Sequence, residues 1–159
     1  MYTPDQIDDI FRERAKPKDG LPWTILPRKL SHETLTAIAP SIYTPGDMWH
    51  RFGQGKQTHT DRGIILHEWI HIQRQYQAGP TLWWWTYIIN GVFRYQEELA
   101  AIRPQLAYLQ HHDAMLPPEA EWLHDYAKML SSGLYFWCVD YDTAYNDLYH
   151  LWHQKNERV

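Results

Sequence analysis

Residues 67 to 71 read His-Glu-Trp-Ile-His, inside a segment whose other side chains, Ile64, Ile65, Leu66, Trp69, Ile70 and Ile72, are apolar nearly all round. A helix greasy on every side is buried centrally. Two imidazoles and a carboxylate in such a helix are costly unless something coordinates or pairs them. Residues four apart share a helix face, so His67 and His71 can both offer a nitrogen to one metal ion, with Glu68 beside it as a general base. The pattern therefore predicts a central helix over 62–77, capped by Thr60 or Asp61. The competing reading is a pair of hydrogen-bonded core histidines with Glu68 as their partner.

A catalytic zinc site takes three protein ligands and leaves a fourth position for water. Downstream, Glu97 and Glu98 are the candidates for the third. Helical phase puts Glu98 on a stripe with Tyr95, Leu99, Ile102 and Leu106, and Glu97 with Arg94 and Ala101. Phase favours Glu98, with Glu97 as the alternative. One continuous helix from residue 81 would carry Glu98 about 16 Å too far along the chain. A short helix over 81–89 is predicted instead, then a break at Asn90-Gly91 and a new helix over 92–103 that Pro104 ends or kinks.

The 159 residues suit one domain with a single core, and 44% apolar against 21% charged residues is ordinary for a globular chain. Net charge is −4 without a basic block, which argues against nucleic acid as a partner. The single cysteine, Cys138, excludes an internal disulfide and a thiolate cage, and reads as a small buried hydrophobe. The start of the chain has no basic n-region or apolar h-region, and the longest apolar run, Leu82 to Ile89, is too short to span a bilayer. A cytoplasmic location without a transmembrane segment is expected.

Thr3-Pro4-Asp5-Gln6 reads as a capping box opening a helix to about Ala15 that buries Ile7, Ile10 and Phe11. Proline and glycine then punctuate the chain to Gly46, leaving room for short strands near Trp23 to Leu26 and Ile42 to Tyr43. Gly53 to Thr60 reads as polar loop, and the rest as helical. His111-His112 reads as a turn, Leu116-Pro117-Pro118 as a helix start, and Asp142 or Thr143 as the cap of the last helix. His150 and His153 read as surface histidines. Of Trp83-Trp84-Trp85, one indole must be exposed or line a groove, because consecutive helical residues point about 100° apart.

The run from His67 to Gln75, then Gly79, the Trp-rich Leu82 to Tyr87, and Phe93-Arg-Tyr-Gln-Glu-Glu-Leu-Ala-Ala resemble small zincin-type metallopeptidase domains of bacteria and tailed phages, of the His-Glu-x-x-His plus downstream Glu type. The resemblance covers about residues 60 to 110. It implies Zn2+ held by His67, His71 and Glu98, with Glu68 as the catalytic carboxylate. The expectation is a single α+β, predominantly α-helical, zincin-like domain over 1–159, with a small irregular β element in its first third. Its expected activity is hydrolysis of a peptide or protein substrate. Tyr135, Tyr141, Tyr145 and His124 are candidate oxyanion donors, and the strand near Ile42 to Tyr43 is a candidate edge for an added substrate strand. Two other functions fit the same residues: a non-catalytic zinc-binding structural or interaction protein, for example phage-associated, and a zinc amidase acting on a cell-wall peptide or small molecule. The sequence leaves the oligomeric state open.

Overall fold

The computed structural model describes residues 1–19, 34–112 and 116–154. Among the described residues there are seven α-helices, one 3-10 turn and a small mixed sheet of three strands in the first third. The strand expected near Trp23 to Leu26 lies outside the described residues. By its contacts the chain divides into two compact units, Met1–Ala78 and Gly79–Val159.

The first unit opens with α1 (Pro4–Arg14), where Thr3 accepts from the Gln6 amide and the Gln6 side chain accepts from the Thr3 amide, the capping box that the sequence predicts. Helix α1 buries Ile7 and Phe11, while Ile10 stays half-buried. Strand β1 (Ala15–Pro17) follows directly, then β2 (Thr36–Ile38) and β3 (Ser41–Thr44). The sheet order is β1-β3-β2, with β1 parallel and β2 antiparallel to β3. The Ile42-Tyr43 strand is therefore central, which corrects the expectation that it offers a free edge. The outer side of β2 is also occupied: Gln75 donates to the Ala37 carbonyl and accepts from the Ala39 amide, both at 2.9 Å.

Helix α2 (Gly46–Gly53) was not predicted, because Pro45-Gly46-Asp47 reads locally as a turn. Packing forms it: Met48 is buried and Phe52 stacks on Phe11 with ring centroids 3.9 Å apart. Helix α3 (His59–Ala78) is the long helix expected over 62–77. Its cap falls at Thr58, earlier than Thr60 or Asp61. Thr58 Oγ1 accepts from the Asp61 amide and Asp61 Oδ2 accepts from the Thr58 amide, a reciprocal pair like that at Thr3. Asp61 also takes two bonds from the Arg51 guanidinium, and Asp8 of α1 takes two from Arg62.

The second unit begins with α4 (Pro80–Ile89) and α5 (Gly91–His111). The predicted break is built on one residue, since the Asn90 amide donates to the Thr86 carbonyl while its side chain accepts from the Phe93 amide. Helix α5 does not stop at Pro104. The proline leaves the Ala100 carbonyl without its usual helical donor, yet buried Ala101, Ile102, Gln105, Leu106, Tyr108 and Leu109 carry the helix across it. His111 is thus helical rather than part of a turn. Helix α6 (Glu119–Leu130) starts after Pro118 as expected, and a 3-10 turn (Gly133–Tyr135) leads to α7 (Tyr141–His153). The cap of α7 is Asp140, not Asp142 or Thr143, with its carboxylate accepting from the Thr143 amide and hydroxyl. This unit's core joins Tyr95, Ile102 and Leu106 of α5 to Trp122, Leu123 and Leu130 of α6 and Ala144 and Leu148 of α7. No described helix is long and apolar enough to cross a membrane.

Candidate metal centre

His67 and His71 lie one turn apart on α3 and are both buried, at 8% and 6% exposure. Their Nε2 atoms face each other at 3.2 Å. Two nitrogens bound to one tetrahedral zinc at the usual bond length stand about 3.3 Å apart, so the spacing fits two ligands of one ion, and it equally fits the direct histidine–histidine hydrogen bond of the competing reading. Glu98 of α5 completes the set. Ligand atoms of His67, His71 and Glu98 all lie within 4.8 Å of one another, and all three residues are buried. The cluster can coordinate a divalent metal ion through two nitrogens and one oxygen. Among the described residues no fourth His, Cys, Asp or Glu joins it.

Glu97 is equally buried, with both carboxylates at 2% exposure. This corrects the phase argument, which placed Glu97 on a less buried face with Arg94 and Ala101: those two are also buried, so α5 is enclosed over a wide arc. Hydrogen bonding separates the two carboxylates instead. Glu97 Oε2 accepts from the Trp83 indole at 2.9 Å, and Glu98 Oε1 accepts from the Tyr87 hydroxyl at 2.5 Å. Both donors come from α4, four residues apart on one face, with their rings stacked 4.7 Å apart. Arg94 ties the end of that helix in place by donating to the Tyr87 and Ile88 carbonyls and to the Tyr135 carbonyl.

Glu68 follows His67 on α3 and is half-buried. Lys18, within electrostatic reach of Glu68, extends beyond β1 and donates to the Thr34 carbonyl at 2.8 Å and Thr36 Oγ1 at 2.9 Å. Burial pushes the Lys18 ammonium down to about 8, against the opposing pull of the Glu68 carboxylate. Sequence reading missed Lys18, which is one of 15 basic residues and stands in no motif. It also missed Tyr87 and Tyr126. Burial pushes the Tyr126 phenol up, and the nearby Glu98 charge adds to the shift.

The four predicted oxyanion donors, Tyr135, Tyr141, Tyr145 and His124, all lie in the second unit. His124 Nδ1 and the Tyr141 hydroxyl share a 2.9 Å hydrogen bond, Tyr141 packs against Tyr145, and the Tyr135 carbonyl accepts from Arg94. His153 pairs with Glu119 at 2.9 Å at the half-exposed start of α6. Cys138 is a free, half-buried thiol that burial pushes up, the state of a packing residue and not of a nucleophile. Of the three consecutive tryptophans, Trp83 is buried, Trp84 half-buried and Trp85 exposed.

The sequence matches no known protein family and no curated protein, and the fold matches no solved structure.

Proposed function

We propose that this chain is a zinc-dependent hydrolase, a zincin-like metallopeptidase whose 159 residues act as one domain. His67, His71 and Glu98 hold the Zn2+, and Glu68 is the general base. The observation that carries the reading is the buried triad: two Nε2 atoms 3.2 Å apart, a carboxylate beside them and only three protein ligands among the described residues. Closed structural sites use four protein ligands, and catalytic ones leave a position open. Bound zinc supplies Lewis acidity, which makes water easier to deprotonate and a carbonyl easier to attack.

The chain's own groups do the rest. Tyr87 holds one oxygen of Glu98 and so fixes which way the carboxylate points. Glu68 accepts a proton from the attacking water and returns it to the departing amine nitrogen as the carbon–nitrogen bond breaks. The substrate class is a peptide or protein. With β3 central and β2 occupied by Gln75, the substrate binds by side-chain and loop contacts instead of strand addition at either place. The expected setting is the cytoplasm of the producing cell, or a virion.

The Glu68→Gln variant tests the assignment. It should keep its metal and its far-ultraviolet circular dichroism while hydrolysis of a mixed peptide library falls about 10²- to 10⁴-fold. Loss of metal in this variant would make Glu68 a ligand. Zinc-loaded wild-type protein with no hydrolysis of any peptide would make the centre structural.

A further inference from the structure

Helix α4 carries two opposed sets of side chains. Trp83 and Tyr87 point inward and hold Glu97 and Glu98. On the other side Leu82, Trp85, Ile88 and Ile89 are between 55% and 76% exposed. At 3.6 residues per turn these four fall within one arc of about 120°. Val92 at the start of α5 and Phe136 beyond the 3-10 turn continue the face, exposed by 65% and 66%. Arg94 joins the two parts, bonding the Tyr87 and Ile88 carbonyls while its guanidinium lies 5.0 Å from the Phe136 ring centroid. Phe136 has a φ of 55°, a conformation unfavourable for a bulky residue, and holding it there leaves its ring in solvent.

The exposed surface of these six side chains amounts to roughly 800 Å², more than the 300–600 Å² of the largest apolar patch on a typical monomer and about one partner's share of a standard interface. Between Arg74 and Arg94 the sequence contains no Asp, Glu, Lys, Arg or His. That absence selects among occupants. In a two-fold dimer a patch meets its own copy, so charges near the axis face their like. A face whose exposed side chains are all uncharged escapes most of that repulsion, since Arg94 beneath it is buried and bonded to backbone carbonyls. A bilayer surface is a poorer fit, because helices that lie on membranes carry Lys and Arg along their polar side, whereas α4 has none and the chain's net charge is −4.

We propose that the Leu82, Trp85 and Ile89 face of α4, extended by Val92 and Phe136, is the contact of a symmetric homodimer. Sedimentation velocity of the full zinc-loaded chain, from about 1 to about 100 µM, tests this. Wild type should reach about 38 kDa, twice the 19.1 kDa chain. The double variant Trp85→Glu/Ile89→Glu should stay near 19.1 kDa with unchanged circular dichroism and zinc content. A milder Trp85→Gln variant should weaken dimerisation at least tenfold, which keeps the test open if the double variant misfolds. A wild type that remains monomeric at the highest concentration overturns the proposal, as does a dimer insensitive to all these changes. A monomer that co-sediments with phosphatidylcholine vesicles overturns it in favour of lipid.

Discussion

Two neighbouring carboxylates on α5, buried alike, are told apart by their donors. Glu98, within the triad and held by Tyr87, should be essential for metal, and Glu98→Ala should abolish stoichiometric zinc binding in a competition titration with a chelator dye. Tyr87→Phe should weaken zinc on the order of 10- to 100-fold, the usual cost of losing a partner to a ligand. Glu97→Ala should keep the metal and lose about 1–3 kcal/mol of folding stability, because the buried Trp83 indole is left without its acceptor. Equal loss of zinc from Glu97→Ala and Glu98→Ala would contradict the assignment. Phase alone did not separate Glu98 from the equally buried Glu97, but the pairing of His67 with His71 was legible in the sequence because spacing on a helix fixes which residues share a face. Tyr87 and Lys18 were not, since each reaches the centre from a separate element and no local spacing encodes such a meeting. The burial of Glu97 was hidden for a related reason: a single apolar stripe presumes one buried face, and α5 is enclosed over a wider arc.

Helix α3 depends on its first turn as well as on its apolar faces. Thr58 and Asp61 cap each other's amides and Arg51 clamps the Asp61 carboxylate. Burial alone would push the Asp61 carboxyl up, but the Arg51 guanidinium and the Thr58 amide outweigh it and hold the group below its ordinary 3.8. Its stabilising contribution is fully present above the unfolded value and is lost as pH falls through the lower folded value. Asp61→Asn should therefore cost about 1–2 kcal/mol near neutrality in urea unfolding. Relative to wild type the deficit should shrink as pH drops below about 4. A deficit that does not change with pH would contradict the capping and clamping role. Capping boxes, Asn90 and the prolines before α6 made most helices legible. Helix α2, strand β1 and the passage of α5 through Pro104 were not, because long-range packing at Phe11 and along the α5 faces overrides local signals.

At the scale of the molecule, the sequence divides its work unevenly. Met1–Ala78 carries the small sheet and the two histidines of α3, and the described residues of Gly79–Val159 hold helices and no strand. If the 159 residues act as one domain, thermal unfolding followed by circular dichroism and by tryptophan fluorescence should give one coincident transition. Saturating zinc should raise its midpoint in wild type and leave His67→Ala unmoved. Two separate transitions, with zinc acting on only one, would contradict the single-domain reading. The proposed hydrolase activity depends on the metal, so the most direct measurement is elemental mass spectrometry of the purified, untagged protein, wild type beside His67→Ala. The expected result is about one zinc per chain in wild type and almost none in the variant. Wild-type protein grown with zinc present and carrying none, or a variant that keeps the wild-type amount, would contradict the metal centre.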